Sequence, residues 1–191
     1  MKKIEFDMVV TRGGDKGMTS LYTGERVRKG SVLIDTIGQI DTLNAYIGVV
    51  RSKDLRKYDK NVLEEIQQHL YVIMGVIAGS KQPFNPDNVE FLDRKIRLYM
   101  KHCQIPNVFI NFGSDGLSAE LNLLRTKTRD VERTNVNYSD KCIWGKNLRY
   151  VYEYFNRLSD LFYVMSMIYY HTANKKKQTK KWSFPKIFRN M

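Results

Sequence analysis

Apolar side chains recur every three or four positions along most of this chain, which is the spacing of one face of an α-helix. Asn85 followed by Pro86 indicates a helix start, because proline has no N–H to satisfy in the first turn. Asn61 is a weaker start signal, and Ser114 or Asp115 can accept hydrogen bonds at another. The pattern predicts helices over residues 32–50, 61–79, 85–102, 114–136 and 148–172. Five helices joined by short links predict an all-α helical bundle.

Two segments depart from the helical pattern. Residues 6–31 are rich in glycine and charge, so we interpret them as an ordered or ligand-ordered loop. The connector over residues 104–113 is unusually apolar, and we expect it to be buried against the bundle or against a ligand. The chain is thus predicted to form one domain over residues 1–173, opened by the loop over 1–31, with a basic tail over 174–191.

The composition supports one compact domain and limits its partners. With 191 residues, of which 42% are hydrophobic, the chain is long enough for a single core but short for two domains. Its net charge of +12 suits an anionic partner such as nucleic acid, acidic lipid or a phosphorylated small molecule. The tail, however, holds seven lysines and arginines and no acidic residue, which leaves a net charge of only +5 on residues 1–173. We therefore expect no nucleic-acid partner.

The cysteines, the histidines and the first residues indicate neither a metal centre nor a membrane anchor. Cys103 and Cys142 lack the spacing of a zinc site and are too few for a disulfide scaffold. His69, His102 and His171 are scattered, which favours packing or surface roles over metal binding or a nucleophilic triad. The first residues are charged, and no stretch reaches the roughly 20 apolar residues that span a membrane. These features predict a cytoplasmic protein without an integral membrane segment.

Residues 11–20 read Thr-Arg-Gly-Gly-Asp-Lys-Gly-Met-Thr-Ser, which is dense in glycine, hydroxyls and charge. Glycines let backbone N–H groups approach phosphate oxygens, and a lysine adds a point charge. The order is not that of a Walker A loop, because Lys16 precedes Gly17 and no strand–helix unit surrounds the motif. Taken alone, the segment indicates either a phosphate-binding loop or a plain surface turn.

Four charged residues share one face of the fourth predicted helix. Arg125, Arg129, Glu132 and Arg133 lie at positions i, i+4, i+7 and i+8. One interpretation is a solvated face tied by an Arg–Glu pair. The other is a polyphosphate clamp, since the planar guanidinium fork suits phosphate oxygens and stabilises a departing polyanion.

Polar side chains also interrupt two apolar faces. Asp41 and Asn44 lie in the first predicted helix, and residues 156–160 of the last helix read Asn-Arg-Leu-Ser-Asp. A polar group on a buried face needs partners. We therefore predict that Asp41 pairs with Arg125, an ion pair that would also orient the arginines of the fourth helix.

Together, these blocks resemble those of the PduO-type ATP:cob(I)alamin adenosyltransferases over nearly all of residues 9–170. The four blocks are residues 11–19, 38–44, 125–133 and 156–160, and they occur in the family's order. The resemblance implies a five-helix bundle of the ferritin-like, cobalamin adenosyltransferase-like class with an ordered N-terminal loop. It also implies a homotrimer that holds ATP between subunits.

The resemblance assigns roles residue by residue. Arg129, Glu132 and Phe109 would be catalytic, Phe109 and Asn156 would contact the corrinoid, and Asp41 and Arg125 would form a salt bridge between subunits. No metal is assigned directly to protein ligands; Mg²⁺ would come with the triphosphate. ATP would be held by Thr11, Arg12, Gly14, Asp15, Lys16, Gly17, Thr19, Ser20, Lys29, Arg129, Glu132, Arg133 and Asn156.

The implied reaction transfers the 5′-deoxyadenosyl group of ATP to cob(I)alamin and releases triphosphate. Cobalt(I) is itself the nucleophile, so the protein needs no serine or cysteine nucleophile. The implied partners are a reductase and an adenosylcobalamin-dependent acceptor enzyme. The alternative is a divergent, non-catalytic sensor or carrier of ATP or corrinoid on the same fold. Three positions depart from the family pattern: Asp130 replaces an arginine, Asn122 a histidine and Phe112 a proline.

Overall fold

The computed structural model describes the chain over residues 4–103, 106, 110–113, 115–139 and 147–179. Phe109, which the resemblance assigns to the corrinoid, lies outside the described residues, as do Ser114 and Cys142. The tail is described only as far as Thr179.

The described chain is mostly helical, as the periodicity predicts. Five long helices follow a short helix and two short strands. In chain order the elements are α1 (Phe6–Val9), β1 (Met18–Ser20), β2 (Arg26–Arg28), α2 (Val32–Arg51), α3 (Lys57–Ile77), α4 (Pro86–Met100), α5 (Gly116–Ser139) and α6 (Asn147–Thr179).

Side-chain caps explain where three of the helices begin. The Asn85 side chain accepts a hydrogen bond from the backbone N–H of Asp87 at 3.0 Å and thereby opens α4. The Asp115 carboxylate accepts from the Ser118 N–H at 2.9 Å and opens α5, which supports Asp115 as the start signal. Ser31 caps α2 in the same way.

Three helix boundaries differ from the prediction. α3 begins at Lys57 rather than at Asn61, because the charged turn before Asn61 contains a buried carboxylate that packs with the core. α6 continues to Thr179, seven residues past its predicted end at residue 172, and α5 continues to Ser139. Apolar periodicity marks only the part of a helix that packs against the core, so it does not predict polar extensions at the helix ends.

The N-terminal segment, which we predicted to be an ordered loop, contains an antiparallel hairpin formed by β1 and β2. Thr19 pairs with Val27 and Met18 with Arg28. The turn closes through Gly24, which adopts φ 85°, a left-handed conformation that favours glycine. Strands of three residues carry too few alternating positions for a sequence pattern to show them.

One hydrophobic core joins the long helices. α5 packs against α6, α6 also packs against α4, and α2 packs against both α3 and α5. The apolar stripe of α6 is buried as predicted, at Leu148, Val151, Phe155, Leu158, Phe162 and Met165. Each such side chain contributes about 1.5 to 3 kcal/mol by leaving water. None of the described helices is long and apolar enough to cross a membrane.

A buried carboxylate ties three parts of the fold together. Asp59 is fully buried and accepts hydrogen bonds from the hydroxyls of Tyr99 and Tyr169, each at 2.5 Å. The guanidinium of Arg56 grips the same carboxylate through two nitrogens, at 2.7 and 3.1 Å. Burial and the hydrogen bond to Asp59 raise the pKa of Tyr169 to about 12. The network links the start of α3 to α4 and α6.

His69 is a packing residue, as its isolated position in the sequence suggested. Its ring lies edge-on to Phe84, Phe91 and Tyr154, and Nδ1 is 3.0 Å from the Tyr154 hydroxyl. Burial lowers the pKa of His69, since a charged imidazolium is poorly solvated there, and Glu65 opposes the shift only in part.

His69 therefore predicts a loss of stability in mild acid. The unfolded imidazole takes up a proton near pH 6.5 whereas the folded one resists, so the free energy of unfolding falls as the pH drops below about 6.5. Urea unfolding at pH 7.5 and at pH 5.5 measures this slope. In His69→Gln the slope should flatten, whereas His102→Gln, at an exposed turn, should keep it. An unchanged slope in His69→Gln would contradict the assignment.

Candidate functional site

The hairpin shapes the glycine-rich segment into a fixed loop. Arg26 donates from one guanidinium nitrogen to the Gly13 carbonyl at 2.7 Å and from the other to the Ser20 hydroxyl at 3.2 Å. The Lys29 N–H donates to the Gly17 carbonyl at 2.9 Å, which continues the strand pairing. The loop is thus tied at both of its ends.

Lys29 lies directly over this loop, close to Gly14. A Cβ atom added at Gly14 would come within 2.6 Å of the Lys29 Nζ, so any side chain at Gly14 would displace that ammonium group. Arg12 adopts φ 55° and Gly17 φ 73°. A left-handed arginine costs about 1 to 2 kcal/mol, and such strain clusters at ligand sites. The structure thus brings Lys29 to the loop, as expected, and leaves Asp15 and Lys16 exposed beside it.

A second group of predicted residues meets where α5 packs on α6. The Asn156 amide nitrogen donates to Glu132 Oε1 at 3.3 Å, and the Asn156 amide oxygen accepts from Arg157 at 2.9 Å. Arg157 Nε donates in turn to Asp93 of α4 at 3.1 Å. We call Asp93, Arg157, Asn156 and Glu132 the polar chain.

Asp160 adds a further charge beside the polar chain. Burial raises its pKa, since part of the carboxylate has lost water, while the positive charges of Arg157 and Arg129 oppose the rise. The exposed Arg129 therefore lies close enough to interact with this α6 carboxylate. α5 and α6 together present a guanidinium, two carboxylates and an amide on one surface.

Arg133 faces α2, whereas the predicted polyphosphate clamp would group it with Arg129 and Glu132. It forms an ion pair with Asp130, and the two side chains line a groove of about 510 Å³ between α2 and α5. Asp130 follows Arg129 by one residue, so the two side chains diverge by about 100° around the helix. Asp130 pairs with Arg133, one turn further along α5. The four-residue charged face thus divides into an Arg129–Glu132 part towards α6 and an Arg133 part towards α2.

The predicted ion pair between Asp41 and Arg125 is absent within the described chain. Arg125 Nε donates to the Asn122 side chain at 2.8 Å, one turn earlier in α5, and Asp41 is exposed on α2. The intrachain assignment is therefore wrong, because a nearer amide oxygen satisfies the guanidinium.

Among the described residues, no hydrogen bond or ion pair joins residues 11–29 to the arginines of α5. The hairpin instead packs its turn on the end of α3, where a Cβ at Gly79 would come within 2.7 Å of the Thr23 methyl group.

The apolar connector is described only in part. Phe112 is half-buried, and its ring lies edge-on to Tyr170 of α6, with the ring centres 5.9 Å apart. This contact agrees with the expectation that the connector packs against the helices. The assigned corrin-facing residue, Phe109, lies outside the described residues.

Sequence reasoning missed two members of the polar chain. Arg157 stands next to Asn156 in the polar interruption of the α6 stripe, a signal that was available in the sequence. Asp93 gives no such signal, since it lies 64 positions from Arg157 among other charged residues of α4. In the part of the chain that the structure describes, no cluster of three metal-ligating side chains occurs.

In fold, this chain is similar to solved structures of transferases. It belongs to the cobalamin adenosyltransferase family, whose model matches residues 9–169. It is 31% identical over 166 residues to the corrinoid adenosyltransferase PduO of Salmonella typhimurium, covering 83% of this chain and 48% of that protein. The chain thus spans about half the length of that relative.

Two further comparisons cover the related proteins almost completely. The corrinoid adenosyltransferase of Citrobacter freundii is 27% identical over 167 residues, which are 84% of this chain and 93% of that one. A variant PduO-type ATP:corrinoid adenosyltransferase from Lactobacillus reuteri, solved with cobalamin and ATP, superposes with a TM-score of 0.78. The two sequences are 26% identical, and the match covers 87% of this chain and 92% of the Lactobacillus reuteri chain.

Proposed function

We propose that this chain transfers the 5′-deoxyadenosyl group of ATP to cob(I)alamin, forming adenosylcobalamin and triphosphate. The observation that carries the proposal is the likeness, over 87% of the chain, to an enzyme complexed with both cobalamin and ATP. In the reaction, cobalt(I) donates an electron pair to the ribose 5′ carbon, and the C5′–O bond breaks with its electrons leaving on triphosphate. The protein must align the reactants and stabilise the growing negative charge.

Two groups of residues suit that task. The hairpin loop offers cations to the phosphates, with Lys29 over Gly14 and the exposed Lys16 two residues along the chain. The α5–α6 surface offers Arg129, whose fork binds phosphate oxygens in pairs, next to Glu132 and Asn156. We assign ATP to both groups, with Thr11, Arg12, Asp15, Gly17, Thr19, Ser20 and Arg133 as the remaining contacts.

Mg²⁺ fits the oxygen atoms at the loop. Asp15 presents an exposed carboxylate and Thr19 a hydroxyl, which are hard ligands that this ion accepts alongside phosphates, whereas the Ser20 hydroxyl accepts from Arg26. When bound, Mg²⁺ supplies positive charge to the triphosphate. Phe109 and Asn156 are proposed to contact the corrinoid, where an aromatic wall would keep a lower ligand away from cobalt.

An oligomer would unite the two groups, since no hydrogen bond or ion pair joins them among the described residues of one chain. α2 carries apolar side chains on both sides: its core face is buried, yet Tyr46 and Val49 are 39% and 53% exposed. Phe6 and Met8 of α1 are more than half exposed. Exposed apolar side chains grouped on one helix can mark a surface that a partner covers. We therefore propose a homotrimer of five-helix bundles built from α2–α6, in which Asp41 and Arg125 meet across subunits.

The remaining parts of the proposal concern the setting of the enzyme. We propose one domain over residues 1–173 with a basic tail over 174–191, acting in the cytoplasm. A reductase would supply cob(I)alamin, and an adenosylcobalamin-dependent enzyme would accept the product, because the reaction consumes a strongly reduced corrinoid and makes a cofactor.

An anaerobic absorbance assay tests the function directly. Purified protein with chemically reduced cobalamin, ATP and Mg²⁺ should form a light-sensitive cobalt–carbon bond, seen as a spectral change that illumination reverses. Omitting ATP or the reductant should prevent the change. Binding of ATP or corrinoid by calorimetry without the spectral change would favour the sensor or carrier. Folded protein with neither binding nor turnover would reject both.

A further inference from the structure

The amide of Asn156 is held by partners that allow it only one orientation. Arg157 can only donate hydrogen bonds, so the amide oxygen must face it, at 2.9 Å. The Glu132 carboxylate accepts, so the amide nitrogen faces it, at 3.3 Å. A flipped amide would place donor against donor and acceptor against acceptor. The hydrogen-bond chemistry therefore decides an orientation that Asn156, which is exposed, would otherwise be free to change.

Arg157 can do this because Asp93 fixes its guanidinium. Nε donates to Asp93 at 3.1 Å while Nη1 donates to Asn156, so two edges of one rigid plane serve two acceptors. Asp93 belongs to α4 and Glu132 to α5, with both middle members on α6. The polar chain thus spans three helices and ends at a residue that we assign to ATP.

We propose that Asp93 and Arg157 are positioning residues that hold Asn156 in one amide orientation and, through it, Glu132 at the ATP site. The inference rests on the proposed function, within which Asn156 and Glu132 contact ATP. Neither Asp93 nor Arg157 needs to touch the nucleotide.

A purely structural role makes a different prediction. The side chains of Arg157 and Asp93 are 44% and 31% exposed, and ion pairs with that access to water add little to stability. Loss of the pair should therefore leave the unfolding transition almost unchanged. If the pair acts on Asn156, the effect should appear in ATP binding.

The test compares two alanine substitutions one turn apart on α4. Asp93→Ala breaks the polar chain, whereas Glu90→Ala breaks the exposed pair between Glu90 and Arg94, which has no link to it. We expect Asp93→Ala to raise the KM for ATP and the Kd for ATP about three- to tenfold, the range of one net hydrogen bond. Glu90→Ala should stay within about twofold of the original protein in the same measurements.

Two further variants test the route through Asn156. Arg157→Lys keeps the charge but loses the rigid plane whose two nitrogens reach the two acceptors, so it should weaken ATP binding as Asp93→Ala does. In an Asn156→Ala background, Asp93→Ala should add no further loss, because its target is gone. Urea unfolding of each variant should match that of the parent protein.

The outcomes separate this inference from the proposed function. Two results would overturn the positioning role without touching the transfer activity. One is that Asp93→Ala binds ATP as tightly as the parent protein. The other is that its loss of ATP affinity adds fully to the loss caused by Asn156→Ala. If the parent protein binds ATP but transfers no adenosyl group, the proposed enzyme activity is wrong. The positioning role is then tested by the Kd for ATP alone. A parent protein that binds no ATP overturns both.

Discussion

Replacing Arg129 with alanine should nearly abolish adenosyl transfer. The Arg129 side chain is exposed on α5, close enough to Asp160 to oppose the rise in its pKa, and next to the Glu132–Asn156 pair. A guanidinium there can meet the charge that develops on triphosphate as the C5′–O bond breaks. Loss of one well-placed donor to a developing negative charge typically costs about 100- to 1,000-fold in rate. We expect a decrease of that size in kcat/KM.

The anaerobic absorbance assay measures this decrease, with two matched variants beside it. Arg129→Lys keeps the charge without the fork and should retain intermediate activity. Arg149→Ala removes an arginine of α6 that is 78% exposed and paired with Glu153, and the variant's activity should equal that of the parent. If Arg129→Ala retained a third or more of the parent activity, the leaving-group role of Arg129 would have to be abandoned.

Replacing Asp59 with alanine should destabilise the fold far more than the loss of any exposed ion pair. The change removes the acceptor of two tyrosine hydroxyls and the partner of Arg56. Breaking a buried pair from one side costs about 3 to 5 kcal/mol. We expect the lower end of that range, since the Arg56 side chain is 54% exposed and can turn to water.

Urea unfolding at neutral pH measures the effect, with Asp54→Ala as the control at an exposed neighbouring position. High pH gives a second readout. Unfolded tyrosine ionises near pH 10, whereas the pKa of Tyr169 in the folded chain is raised to about 12. The folded state then holds the extra proton, so the free energy of unfolding falls between pH 10 and 12. In Asp59→Ala this decline with pH should be shallower. If Asp59→Ala were as stable as the parent protein at neutral pH, the role of the Asp59 network would be refuted.

Local chemistry explains why much of the fold could be predicted. The five long helices follow from apolar spacing, and the caps at Asn85 and Asp115 follow from side chains that suit free N–H groups. The hairpin escaped because each strand spans three residues. The burial of Asp59 was not predicted, because a carboxylate next to Arg56 and Lys57 is typical of a solvent-exposed connecting segment. Asp59 nevertheless lies on the same helix face as Val62 and Ile66.

The candidate site divides in the same way. The sequence by itself determined the chemistry available, which is a glycine-rich loop with lysines, an arginine face on α5 and a polar run on α6. Only the tertiary structure decided the links between helices, which are Asn156 with Glu132 and Arg157 with Asp93. The pairs Arg133–Asp130 and Arg125–Asn122 lie one turn apart within α5, so helix spacing allowed them without selecting them. Spacing sets which face of a helix a residue occupies, but partners depend on how helices distant in sequence pack and on which acceptor lies nearest. That is why the type of site could be predicted and its hydrogen bonds could not.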